Sequence, residues 1–234
     1  MPIARTREDR ADHAAPLQCW SCRAPAGGTH FCAVCGKIQP LPPGTDYFAF
    51  FGLPLKLGFD DASLEGQFHK LSWKLHPDNF VRSGEFERNL SLERSSELND
   101  AYRTLIDPLS RVEYLLARLG VRKEGSVRQQ APPELLEEVF ELNESLDELR
   151  EARRAGGDTS PLREKLAAAQ KEFQLDLDEV DENLADIGRE WDAALDARSS
   201  DDVKMAILAR LNETLNRRGY IRNLVNTVNE ELAG

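Results

Sequence analysis

No stretch of this sequence approaches the roughly 20 consecutive apolar residues that a membrane-spanning helix needs. It also lacks a glycine-rich phosphate loop, a dinucleotide fingerprint and any nucleophile–base arrangement, so the chain is not expected to be an enzyme. No repeat of 20–50 residues is present, which argues against a solenoid or propeller. The N-terminus has no signal-peptide apolar core. It is rich in arginine, but Glu8, Asp9 and Asp12 argue against a transit peptide, so the expected location is the cytoplasm. Cysteine is absent outside residues 19–35.

What is present is a charged composition typical of globular domains: 41% hydrophobic, 30% charged, net charge −11 over 234 residues. From Glu134 onward there are 25 acidic and 13 basic residues, against 16 and 17 before it, so the excess negative charge belongs to the C-terminal part. An acidic surface disfavours a phosphate backbone, and no nucleic-acid partner is expected. It suits a basic protein surface, or simply a solvated helical one.

The chain divides into a polar tail expected to be disordered (1–15), a cysteine-containing segment (16–44), a helical segment (45–119), a linker (120–133) and a second helical segment (134–234). In 45–119, Leu64, Phe68, Leu71 and Leu75 fall on one helix face, with Asp60 or Asp61 as cap and Pro77 as stop. A second helix carries Leu98, Ala101 or Tyr102, and Leu105 up to Pro108. It continues through Val112, Leu115, Leu116 and Leu119 to Gly120. Phe48, Phe50, Leu53 and Leu55 form a short packing helix and turn ahead of this hairpin. Residues 134–234 read as three helices, from about Pro133 to Ala155, from an N-cap at Ser160 to about Ala197, and from Ser200 onward. Short connections between them imply an antiparallel bundle. Trp73 and Trp191 are expected as core anchors, and His69 as a surface residue.

Cys19, Cys22, Cys32 and Cys35 form two C-x-x-C pairs, each able to grip one metal from a tight turn, with Gly36 suited to the turn after the second. Together they complete a tetrahedral four-thiolate site with Zn–S of about 2.3 Å. One structural zinc per chain is the expected ligand, and it would supply the folding energy the segment lacks. Two redox disulfides, an iron site or a ligand-free structural role are the alternatives. His30 is a possible substitute ligand.

His76-Pro77-Asp78 closes the helical hairpin, and Lys70 and Lys74 lie at i, i+4 on the exposed side of the preceding helix. This order resembles the J domain. The resemblance is to the HscB family in particular, the J-proteins devoted to iron–sulfur cluster assembly. It is carried by D-Y-F-A-F-F-G-L-P at 46–54, L-S-W-K-L-H-P-D-N-F at 71–80, L-N-D-A-Y-R-T-L-I-D-P-L-S-R-V-E-Y-L-L at 98–116 and E-L-N-E-S-L-D-E-L at 141–149. The four-cysteine segment resembles the zinc domain of the longer members.

The resemblance implies a mainly α fold: a small zinc-ribbon-like module, a J-domain hairpin and a C-terminal three-helix bundle. It implies that His76, Pro77 and Asp78 contact an HscA- or DnaK-class ATPase chaperone and trigger ATP hydrolysis, with Lys70 and Lys74 meeting its acidic surface. The bundle is expected to hold the iron–sulfur scaffold protein (IscU-like) through Leu136, Phe140, Glu141, Glu144 and Tyr220, the alternative for Leu136, Phe140 and Tyr220 being ordinary bundle core. The compartment would be cytoplasmic, or the mitochondrial matrix in a eukaryote. Glu137 departs from the family at an apolar client contact, and Asn79 stands where generic J domains have lysine. The rival readings are a general J-protein for unfolded clients and a cysteine-based redox or metal-handling protein.

Overall fold

In the computed structural model, which describes residues 18–26, 28–122 and 135–233, the apolar periodicities become seven α-helices and one 3-10 turn. They are α1 (Tyr47–Phe51), α2 (Asp61–Leu75), the 3-10 turn (Pro77–Phe80), α3 (Glu85–Ile106), α4 (Pro108–Arg118), α5 (Leu136–Ala155), α6 (Ser160–Asp196) and α7 (Asp201–Ala233). The tail expected at 1–15 and most of the linker expected at 120–133 lie outside the described residues. Among the described residues there is no strand, only isolated bridges pairing Gln18 with Pro25 and Phe31 with Ile38 in the cysteine segment. No described helix is long and apolar enough to cross a membrane.

The local chemistry explains where the helices start and stop. Asp46 caps α1 by accepting from the Ala49 N–H at 2.8 Å. Asp60 caps α2, accepting from Ala62 and Ser63. α3 ends at Ile106 because Pro108 cannot continue it, and α4 begins on that proline. α5 ends where Gly156 takes φ +65°, which lets Gly157 donate to the Ala152 carbonyl at 3.0 Å. At the start of α6 the capping acceptor is Asp158 rather than Ser160. The Asp158 carboxylate accepts from the Ser160 N–H at 2.9 Å, and that bond holds its pKa below the usual range.

Contacts divide the chain into two units. The first contains the cysteine segment, α1, α2, the 3-10 turn and α3. In it Leu64 and Leu75 of α2 are buried with Leu90, Leu98, Ala101 and Leu105 of α3, and Phe68 stacks on Tyr102 with ring centroids 4.2 Å apart. The second contains Lys56–Gly58 and α4 to α7. Its bundle core joins Leu142, Leu146 and Leu149 of α5 to Leu166, Phe173, Leu177 and Val180 of α6 and Ile221, Val225 and Val228 of α7. Trp191 is buried, as expected. In the same unit the Asp192 carboxylate accepts from the N–H groups of Leu57 and Gly58 at 2.8 and 2.7 Å. Glycine at 58 leaves room for this bond, since a Cβ there would lie 2.9 Å from an Asp192 oxygen and displace that carboxylate.

Candidate functional site

The His-Pro-Asp segment is an exposed turn held from behind. Helix α2 ends at Leu75, whose carbonyl accepts from the hydroxyls of Ser91 at 2.6 Å and Ser95 at 3.0 Å, both on α3. These bonds satisfy one of the last carbonyls of α2, which have no partner within the helix. Phe80, buried at the far side of the turn, is the second anchor. Between the anchors His76 and Asp78 are exposed, and the Asp78 N–H donates to His76 Nδ1 at 3.3 Å. The Asn79 amide donates to the Trp73 carbonyl at 2.6 Å, tying the turn back to α2. Lys70 and Lys74 are both exposed.

Trp73 is not a core anchor: it is 75% exposed. Leu64, Phe68, Leu71 and Leu75 already fill the face of α2 that meets α3. Trp73 lies two residues from Leu71 and Leu75, about 200° around the helix from each. Sequence reasoning missed Ser91 and Ser95 as well, because a hydroxyl 16 to 20 residues from its acceptor leaves no local pattern.

The four cysteine sulfurs all lie within 4.8 Å of one another, and the cluster is able to bind a metal ion. The Cys19–Cys35 and Cys22–Cys32 sulfurs are 3.6 and 3.7 Å apart. A regular tetrahedron with metal–sulfur bonds of about 2.3 Å has sulfurs about 3.8 Å apart, so the spacing fits a four-thiolate ion. Two similar turns build it: Arg23 donates to the Cys19 carbonyl at 3.0 Å, and Gly36 to the Cys32 carbonyl at 2.9 Å. Both turn residues have positive φ, +65° at Arg23 and +71° at Gly36. Backbone N–H groups of Ser21 and Cys22 point at the Cys19 sulfur, and that of Val34 at Cys32.

The thiols titrate as a group. Burial pushes Cys19 up, but the Cys22 and Ser21 N–H groups and the neighbouring thiols outweigh it and bring it down to about 6. Cys35 gains from the Lys37 N–H, yet burial and its three sulfur neighbours push it up to about 12. Four thiolates this close repel one another, and a cation that replaces the protons removes that penalty.

His30 is not part of this cluster. Its Nε2 donates to the Phe50 carbonyl at 2.9 Å, and its ring packs edge-on against the Phe50 ring. It joins the cysteine segment to α1. Two contacts join the segment to the start of α3: Trp20 packs edge-on against Phe86, and Lys37 pairs at 2.7 Å with Glu87, whose side chain is 7% exposed.

In the bundle, Leu136 is 54% and Phe140 72% exposed, four residues apart on α5, with Glu141 and Glu144 also in solvent. Glu137 is exposed beside them. Tyr220 of α7 is half-buried and packs against the bundle core. Glu141 also lines a groove of about 270 Å³ between α5 and α6, with Glu138, Glu172 and Asp176 around it.

No family model matches the chain. Among known proteins, a Co-chaperone protein HscB homolog of Vibrio cholerae is 33% identical over 177 residues, 74% of this chain and 95% of its own length. An Iron-sulfur cluster co-chaperone protein HscB homolog of Arabidopsis thaliana is 36% identical over 150 residues, 63% of this chain and 58% of its own. Among solved structures, human co-chaperone protein HscB superposes with a TM-score of 0.60 at 26% identity, covering 92% of this chain and 98% of that one. The likeness extends over nearly the full length of the Vibrio protein and of the solved human chain, and with it the chain belongs to the HscB co-chaperone family.

Proposed function

We propose that this chain stimulates ATP hydrolysis by an HscA- or DnaK-class chaperone and delivers an IscU-like iron–sulfur scaffold protein to it. The observation that supports this most is the state of the His76-Pro77-Asp78 turn. Its polar side chains are exposed, while the burden of holding it falls on Ser91, Ser95 and Phe80 behind it. His76, Pro77 and Asp78 would meet the ATPase, with Lys70 and Lys74 steering the encounter with an acidic surface. Leu136, Phe140, Glu141, Glu144 and Tyr220 would hold the scaffold: two exposed apolar side chains ringed by charge are the arrangement of an interface anchor. Two sites on one chain raise the effective concentration of client at the chaperone. The relatives' names support the iron–sulfur assignment, and the cytoplasm is the compartment we assign.

The cysteine cluster would hold one structural zinc, bound by Cys19, Cys22, Cys32 and Cys35. Bound there, zinc supplies the positive charge that lets four thiolates coexist and closes a shell with no free position. Cys19 and Cys32 are buried ligands, while Cys22 and Cys35 close the solvent side.

A titration with purified partners tests the reading. Folded scaffold protein should bind the chain alone, and adding it should raise chaperone ATP turnover above that reached with the chain only. Binding of unfolded polypeptides with no binding of folded scaffold would favour the general J-protein instead.

A further inference from the structure

Helix α2 leaves one large apolar side chain in solvent: Trp73, 75% exposed. Scattered apolar side chains are ordinary on protein surfaces, so exposure alone decides nothing. Local propensity does not explain the residue, since tryptophan is only a middling helix former and a lysine or alanine would serve α2 better. Its surroundings set it apart from the other exposed apolar residues. Lys70 lies one turn before Trp73 on the same face, and Lys74 follows it about 100° around the helix; all three side chains are exposed. Among the described residues neither lysine has a carboxylate partner; the carboxylates of Glu65 and Asp78 lie 3.6 and 3.5 Å from the rings of His69 and His76 instead. The Trp73 carbonyl is the acceptor for the Asn79 amide, so the residue is tied to the turn that carries His76 and Asp78.

We infer that Trp73 is the apolar anchor of the α2 surface, its indole entering a hydrophobic pocket on an acidic protein partner, the ATPase chaperone. The inference rests on the co-chaperone reading above and adds to it a residue that sets affinity rather than triggering hydrolysis. The charges decide the partner's chemistry. Two unpaired lysines beside an indole favour carboxylates around an apolar depression, and disfavour a basic or wholly apolar surface. Tryptophan is the residue type most concentrated at interface hot spots, because it buries a large area at small entropic cost.

The test is ATP hydrolysis by a purified DnaK-class chaperone as a function of the concentration of this protein, using full-length wild type, Trp73→Ala, Trp73→Phe, Leu92→Ala and His76→Gln. For Trp73→Ala the concentration for half-maximal stimulation should rise about tenfold or more, with unchanged maximal stimulation and unchanged melting temperature. Trp73→Phe should recover part of the affinity. Leu92, 57% exposed on α3, should be replaceable without effect. A Trp73→Ala titration that overlays wild type, while His76→Gln fails to stimulate, overturns the inference and leaves the co-chaperone reading standing. Full stimulation by His76→Gln overturns the reading on which the inference rests. A lowered melting temperature for Trp73→Ala would also overturn it, by making the side chain structural.

Discussion

The cysteine segment clusters three buried residues of its own, Cys19, Ala26 and Cys32, and two of those are thiols. The C-terminal bundle clusters eleven, all of them large apolar side chains. At about 1.5–3 kcal/mol for each fully buried large side chain, the bundle core can offset the entropy of ordering three long helices, and the cysteine segment cannot do the same for its turns. The segment has instead four sulfurs placed to hold a metal ion and neighbours outside itself: Phe50 of α1, and Phe86 and Glu87 of α3. Two regions of one chain thus differ in what holds them, and they should fail under different insults.

Removing the metal should separate them most. Chelation, acidification or Cys19→Ser should abolish the structure of residues 18–39, because the apparent binding energy of a structural zinc, about 10–16 kcal/mol in small domains, is folding energy there. Hydrogen exchange should show loss of protection in that segment, faster exchange around Phe86 and Glu87, and no change in 136–233. Persistent protection of 18–39 in metal-free protein would place the segment's stability elsewhere.

The converse break is Phe173→Ala in the bundle. Phe173 is 4% exposed, and the cavity should cost about 3–5 kcal/mol. Thermal melting should record it, while the metal content equals that of wild type.

A smaller effect sharpens the comparison within the bundle itself. Leu136 and Phe140 share α5 with Leu142 and Leu146 but face solvent. Replacing both with alanine should leave the melting temperature nearly unchanged and weaken scaffold binding by about tenfold or more, as expected for hot-spot residues. A large drop in melting temperature would assign them to the core. A stable double variant of unchanged affinity would move the client site elsewhere.

The smallest effect compares the two turns of the cysteine segment. Gly36→Ala places a side chain in a left-handed conformation at a cost of about 1–2 kcal/mol. Arg23→Gly removes the same strain from the sister turn and should be neutral or slightly stabilising. Competition with a chromophoric chelator would order the three proteins by metal affinity.

Much of the architecture was legible because it is written in local pattern. Leu64, Phe68, Leu71 and Leu75 mark one face of α2, Pro108 and Gly156 mark helix ends, and the two C-x-x-C pairs mark the sulfur cluster. For Trp73 register outweighs residue type: the same periodicity that turns Leu71 and Leu75 inward turns Trp73 to the far side. Leu136 and Phe140 show the limit from the other direction: their spacing suits a core stripe, but Leu135, Leu142, Leu146 and Leu149 already occupy the inward face. Contacts of long sequence separation were not legible at all. Nothing near Ser91 announces its bond to Leu75, nothing near Lys37 announces Glu87 fifty residues on, and nothing near His30 announces the Phe50 carbonyl that takes up its Nε2.

Single-turnover ATP hydrolysis by an HscA- or DnaK-class chaperone tests most directly whether the His-Pro-Asp loop is the trigger of a chaperone ATPase. Wild-type protein should accelerate the step. His76→Gln should not, while keeping its melting temperature, since His76 is exposed and such substitutions cost within about 0.5 kcal/mol. Undiminished acceleration by folded His76→Gln protein would contradict the account.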